Sequence, residues 1–268
     1  MTNDWIDNVR AYCLKYNIPI EYLAEIVNDP KVVPMIRGKA FEYSAMLYLK
    51  TVLPANDWVV DKPIMNAQFG LHDMDIRVQH KATGKTIGVE CKLAAKGSFQ
   101  VLKNGSTQLK VKCMRSRTLG DAKAQELATK IGLPVEMLKI HNDQYIPSDF
   151  QVVLTSIANA FYTTNTETDM FDWSPSGKGI DFLKYISNLS EVTDLQYFTY
   201  NQLYLATAES LAVKEFSGHK CSRKTCPSPN NCGFIPNYPI INFPIEGKLP
   251  LAPWHSAANA VDFFTNFI

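Results

Sequence analysis

The sequence lacks an uninterrupted apolar run of the length that a membrane-spanning helix needs, which is about 18–20 residues. Its first five residues, Met1 to Trp5, are acidic and do not have the basic-then-apolar order of a secretory signal. We therefore expect a cytoplasmic protein with no membrane partner and with reduced cysteines. Three disulfides among the six cysteines are the alternative, which Cys91 disfavours because it lies inside an apolar strand pattern.

Several short functional motifs are also missing. The sequence has no Walker loop, no G-x-G-x-x-G, no G-x-S-x-G and no H-E-x-x-H. The formal net charge of +1 does not by itself indicate a polyanionic partner, although local charge can differ. A length of 268 residues suits one large domain, or one domain with a small appendage.

The apolar spacing predicts a mixed α+β fold, with a central mixed sheet flanked by helices. The predicted helices are 4–16, 20–28, 35–52 and 120–131, and the region 181–216 is predicted to be mostly helical. The predicted strands are 58–60, 75–80, 86–93 and 150–155. The proline-rich region 218–255 contains three cysteines and two histidines, which predicts a small irregular Cys/His-rich appendage.

Two charged residues lie inside the apolar strand 86–93. Because side chains alternate across a strand, Glu90 and Lys92 share the face opposite Ile87, Val89, Cys91 and Leu93. A hairpin centred between Ala82 and Thr83 places Asp75 opposite Glu90, whereas a bulge at Gly84 would shift this register by one. Asp73 is the alternative to Asp75; we prefer Asp75 because it directly precedes the alternating Ile76-x-Val78.

Glu42 lies in the predicted helix 35–52. Ala45, Met46 and Leu49 place it on or beside the buried side of that helix, where a carboxylate is costly without a partner. Carboxylates can bind one or two Mg²⁺ ions, and a lysine beside them can orient or deprotonate water and offset phosphate charge. The candidate catalytic residues are Asp75, Glu90, Lys92 and Glu42, and the candidate Mg²⁺ ligands are Asp75, Glu90 and Glu42.

The pattern Asp-x14-Glu-Cys-Lys on a hairpin resembles the PD-(D/E)xK nuclease superfamily over residues 35–155. Asp75, Glu90 and Lys92 match its three signature positions, while Met74 stands where the family usually has proline. The segment from Arg37 to Glu42 resembles the family helix whose glutamate often joins the metal site. The order helix, strand, hairpin, helix and strand matches the family core.

This resemblance implies a restriction-endonuclease-like core and a type II restriction endonuclease. Such an enzyme uses Mg²⁺, cleaves double-stranded DNA at a short sequence to leave 5′-phosphate ends, and commonly acts as a homodimer. The nuclease domain would span 1–217, with a helical elaboration at 156–217, and the appendage would span 218–268. The alternatives are a repair or recombination nuclease that recognises DNA structure, and a DNA-binding module with a vestigial site.

A basic tract follows the catalytic strand. Residues 93–120 contain no acidic residue, and lysine, arginine and amide side chains are the ones that contact phosphates and base edges. A solvated basic surface without a ligand is the alternative. The candidate DNA-binding residues are Lys96, Ser98, Lys103, Asn104, Gln108, Lys110, Lys112, Arg115 and Arg117.

Four possible zinc ligands lie close together in the appendage. They are His219, Cys221, Cys226 and Cys232, and His255 can replace His219. Thiolate and imidazole suit tetrahedral Zn²⁺, although the usual C-x2-C spacing is missing. Reduced cysteines in a loop are the alternative. The sequence therefore predicts a possible structural zinc site here.

Overall fold

A computed structural model describes residues 4–63, 74–116, 118–215 and 217–268. The helices are α1 (Asp4–Lys15), α2 (Leu23–Val27), α3 (Val33–Val52), α4 (Asp121–Ile131), α5 (Val135–Ile140), α6 (Gly177–Ser187), α7 (Val192–Asn201), α8 (Ala208–Leu211) and α9 (Ala260–Thr265). The strands are β1 (Trp58–Asp61), β2 (Ile76–His80), β3 (Thr86–Leu93), β4 (Gln100–Val101), β5 (Thr107–Lys110), β6 (Val152–Ser156), β7 (Tyr162–Thr164), β8 (Phe171–Trp173), β9 (Leu203–Thr207), β10 (Ile240–Phe243) and β11 (His255–Ser256).

A six-stranded mixed sheet forms the centre of the fold, in the order β1-β2-β3-β6-β9-β11. Strands β3 and β6 are parallel, and the other neighbouring pairs are antiparallel. A parallel pair needs a long crossover connection, which here contains α4 and α5. The predicted central mixed sheet flanked by helices is confirmed.

The β2–β3 hairpin has the predicted register. Ile76 pairs with Val89 and Gln79 pairs with Thr86. Gly84 in the connecting loop has a φ of 69°, a left-handed conformation that favours glycine. The register therefore brings the residues that directly precede β2 next to Glu90.

Each face of the sheet is covered by an apolar core. On one side, Phe41, Ala45 and Leu49 of α3 pack with inward residues of β2 and β3 and with Phe264 of α9. On the other side, α6 and the β5–β10 pair pack against alternate residues of β6 and β9. Strand β6 is therefore fully buried, with Val152 and Leu154 facing one core and Val153 facing the other.

The prediction of a mostly helical region over 181–216 is wrong at β9. Leu203, Leu205 and Tyr204 of this strand are all buried, because the two sheet faces are both covered. An apolar run that is buried on both faces has no period that separates a strand from a buried helix.

The region 218–268 is irregular through its cysteine-rich part and regular towards its end. Strand β10 pairs with β5, β11 pairs with β9, and α9 packs against α3. Trp254 is almost fully buried in one of the two cores. In the described part of the chain, no helix combines the length and the apolar character needed to cross a membrane.

Candidate active site and candidate metal cluster

Three carboxylates line one open pocket of about 870 Å³. Glu42 comes from α3, Asp75 directly precedes β2, and Glu90 lies on β3. Each of the three residues is only 8% exposed. Burying three acids together is costly, so their convergence needs compensating partners.

Strand alternation separates the pocket side of β3 from its core side. Cys91 packs in the apolar core with Ile87 and Val89, while Glu90 and Lys92 line the pocket. The backbone N–H of Cys91 donates to the Asp75 carboxylate at 2.9 Å. This hydrogen bond holds Asp75 beside Glu90, as the hairpin register requires.

Lys92 is paired with Glu90. Its Nζ lies 2.7 Å from Glu90 Oε1 and donates to the Tyr145 hydroxyl at 3.1 Å. Burial by itself lowers the pKa of Lys92, but the charge of Glu90 and the hydrogen bond to it outweigh this effect, and the pKa is raised. Lys92 is therefore an ammonium group at neutral pH.

The pocket disfavours the charged form of Asp75, whereas it favours the charged form of Lys92. Burial raises its pKa to about 7, and the charges of Glu90 and Glu42 add to the effect. Near neutral pH this carboxyl group thus holds a proton for part of the time. A bound cation favours the ionised form of such a carboxyl group.

Two further lysines neutralise Glu42. Lys39 Nζ donates to Glu42 Oε2 at 2.9 Å, and Lys62 forms an ion pair with the same oxygen. Lys62 also donates to the backbone carbonyl of Asp75 at 3.2 Å. Lys62 was not predicted as part of the site, although pairing of β1 with β2 places the end of β1 beside Asp75.

Tyr145 was also missed, since it lies 55 residues from its partner in sequence. Its hydroxyl donates to Glu90 Oε1 at 2.9 Å, and burial followed by the charge of Glu90 raises its pKa. Arg115 lies over the Tyr145 ring, with Cζ 4.9 Å from the centroid. Arg115 is held there by an ion pair with Asp149 and by a 2.9 Å hydrogen bond to the carbonyl of Gln144.

The described residues of the predicted basic tract lie in two pockets and on the β4–β5 hairpin. Lys112 and Arg115 line the main pocket. Lys96 and Lys112 line a neighbouring pocket, where Lys96 Nζ lies 4.4 Å from the Phe171 ring centroid. Lys112 and Arg115 therefore line the same pocket as the carboxylates, and Lys96 lines the pocket beside it.

The other members of the tract stabilise the β4–β5 hairpin or are exposed there. Ser98 Oγ accepts from the N–H of Lys110 at 3.1 Å, and Gln108 donates to Gln100 at 3.0 Å. Asn104 accepts from Ser106 N–H in the turn, next to the exposed Lys103. Asp73 and Arg117 lie outside the described residues.

A second cluster combines one histidine and three cysteines. The ligand atoms of His141, Cys221, Cys226 and Cys232 all lie within 4.8 Å of one another. This cluster could hold a metal ion such as zinc.

The prediction of His219 as the fourth ligand is corrected by this geometry. His219 Nε2 instead lies 3.1 Å from the carbonyl oxygen of Ser210. His255, the other candidate, packs against Phe263 with ring centroids 5.4 Å apart. His141 was missed because it lies 80 residues before Cys221.

Comparison with known protein families, with characterised proteins and with solved structures finds no match to this chain.

Proposed function

We propose that the protein is a Mg²⁺-dependent endonuclease of double-stranded DNA, similar to the PD-(D/E)xK enzymes. The observation that carries this proposal is the convergence of Glu42, Asp75 and Glu90 with Lys92 in one pocket. An exposed strand with a surface salt bridge would not bury three acids at 8% exposure each. Such burial is typical of sites where charge is needed for chemistry.

The donor set fits Mg²⁺. This ion prefers oxygen ligands and usually retains several waters, which an open pocket can accommodate. When bound, Mg²⁺ supplies an activated water and stabilises negative charge on a phosphate. Glu42, Asp75 and Glu90 would hold it, and Lys39 and Lys62 would have to release Glu42 for it to bind there.

Lys92 would position the phosphate and the attacking water. Its raised pKa favours a role as a fixed positive charge and hydrogen-bond donor over a role as a general base. Tyr145 would hold both Lys92 and Glu90 in place, because its hydroxyl contacts both side chains. Loss of the Lys92 charge should therefore affect the reaction more than substrate binding.

Basic side chains around the pocket support a DNA substrate. Lys39, Lys112 and Arg115 line the pocket, and Arg37 and Lys96 line its neighbour. Arg37, Lys96 and Lys112 can contact DNA phosphates near the scissile bond, whereas Arg115 is already paired with Asp149. We propose a type II restriction endonuclease acting as a homodimer on a short sequence and leaving 5′-phosphate ends.

The test is incubation of purified protein with plasmid and phage DNA in the presence and absence of Mg²⁺. We expect discrete fragments only with Mg²⁺. Asp75→Ala, Glu90→Ala and Lys92→Ala should each abolish cleavage and leave part of the DNA binding. Lys123→Ala and Glu126→Ala are matched controls, because these residues form an exposed ion pair on α4.

The pattern of products separates the alternatives. Reproducible discrete fragments indicate restriction, whereas cleavage limited to branched or damaged DNA indicates a repair or recombination nuclease. Binding without any cleavage indicates a DNA-binding module. Full activity of any one of the three site variants would overturn the site assignment.

A further inference from the structure

The cluster of His141, Cys221, Cys226 and Cys232 joins two distant parts of the chain. His141 directly follows α5, and the three cysteines come from the irregular segment after α8. His141 Nε2 lies 3.3 Å from Cys221 Sγ. We propose that these four side chains bind one structural Zn²⁺ ion.

The spacing of the four ligand atoms fits a tetrahedral zinc site. Zinc bonds of about 2.3 Å to sulfur and about 2.0 Å to nitrogen place neighbouring ligand atoms roughly 3.5–3.8 Å apart. The cluster, with all four atoms within 4.8 Å, needs shifts of about 1 Å or less to reach that geometry. Side-chain rotation alone can supply such shifts.

The groups around the cluster orient its ligands for a metal. His141 Nδ1 lies 2.7 Å from the carbonyl oxygen of Met137, so Nε2 is left for the cysteines. The His141 ring also stacks on Phe234, with centroids 4.1 Å apart. The backbone N–H of Arg223 donates to Cys221 Sγ at 3.3 Å, a contact that stabilises a thiolate.

The site is closed. His141, Cys226 and Cys232 are buried, Cys221 is partly buried, and all four ligands come from the protein. A catalytic zinc site keeps one position open for water or substrate, whereas a structural site does not. This cluster therefore has the character of a structural site.

The proposed zinc site would hold the segment that carries Tyr145. Within that segment, Asp143 forms an ion pair with Arg223 and accepts from Asn237 at 2.9 Å. The backbone N–H of Arg115 donates to the carbonyl of Asp143 at 2.8 Å. Zinc at His141 would thus fix residues 141–149 relative to the cysteine-rich segment.

The first test is the zinc content of the purified full-length protein. We expect about one zinc per chain, lost in His141→Asn and in Cys226→Ser. His219→Asn is the control, because it changes the neighbouring histidine that lies outside the cluster, and it should retain zinc. A wild-type protein that is folded by circular dichroism but holds well under one zinc per chain would overturn the proposal, as would zinc retention in both cluster variants.

If the cluster variants fail to fold, measurements on the wild-type protein still test the proposal. Replacement of zinc by Co²⁺ should give the intense visible absorption of tetrahedral cobalt with thiolate ligands. Thiol titration of denatured, chelated protein should find all six cysteines free. Absence of the cobalt bands, or a disulfide among the three cluster cysteines, would refute the assignment.

Hydrogen exchange tests the structural role without an activity assay. Removing zinc with a chelator should increase amide exchange in residues 141–149 by at least tenfold and leave β6 unchanged. Unchanged exchange in 141–149 after zinc loss would refute the proposed fixing of that segment. Neither result depends on whether the protein cleaves DNA.

Discussion

Replacement of Asp75 by asparagine should stabilise the protein when no divalent cation is present. Asparagine keeps an oxygen that can accept the hydrogen bond from Cys91 N–H, but it removes one of three buried negative charges. Under the proposed function, this carboxylate is retained for chemistry and not for stability. The substitution therefore separates these two requirements.

The size of the effect follows from the pKa of Asp75, which rises from 3.8 to about 7 in the folded chain. One pKa unit corresponds to about 1.4 kcal/mol, so ionising Asp75 in the fold costs on the order of 4 kcal/mol. Burial of the asparagine amide offsets part of this gain, and we expect a net stabilisation of about 2–3 kcal/mol at pH 8. The midpoint of thermal unfolding should then rise by roughly 5–10 °C.

The pH dependence has a definite sign. Because the folded pKa lies above the unfolded one, the contribution of Asp75 to stability is fully present below pH 3.8 and is lost as the pH rises through about 7. At pH 5.5 the cost of ionising Asp75 falls to about 2 kcal/mol, while the offset from burying the asparagine amide stays the same, so the advantage of Asp75→Asn should fall to about 0–1 kcal/mol.

The assay is thermal unfolding with a chelator at pH 8 and pH 5.5, followed by circular dichroism. Asp149→Asn is the matched control, and its expected change in stability has the opposite sign, because Asp149 is a buried acid paired with Arg115. It should destabilise the protein by about 3 kcal/mol. If Asp75→Asn is neutral or destabilising at pH 8 while the control behaves as expected, the reasoning is wrong. A stabilisation that does not depend on pH would also refute it.

Three other substitutions test single contacts. Tyr145→Phe should slow DNA cleavage about tenfold in single-turnover assays while the fold is kept, because the hydroxyl that contacts Glu90 and Lys92 is lost; an unchanged rate would remove Tyr145 from the site. Lys62→Met should bind Mg²⁺ about tenfold more tightly by calorimetry, since one competing positive charge is removed; weaker binding would contradict this. Ser176→Ala should cost about 1 kcal/mol in thermal unfolding and leave cleavage unchanged, because Ser176 Oγ accepts from Gly179 N–H at the start of α6; an activity loss would show that the residue does more than cap the helix.

Local features of this protein were predictable from the sequence. The alternation along β3 separated Glu90 and Lys92 from Cys91, and a hairpin centred between Ala82 and Thr83 predicted the observed register, without the shift that a bulge at Gly84 would have caused. Both depend on periods and turn geometry that act over a few residues. The helical position of Glu42 on the buried side of α3 was predictable for the same reason.

Contacts between distant segments were decided only by the tertiary structure. Tyr145 contacts Glu90 because the last loop of the crossover between β3 and β6 returns to the pocket. The same loop places His141, and not His219, beside the cysteines. Strand β9 shows the same limit, since burial on both sheet faces removes the alternation that identifies a strand. Local sequence therefore determined which side chains face the pocket, whereas packing of remote segments determined which other residues surround them.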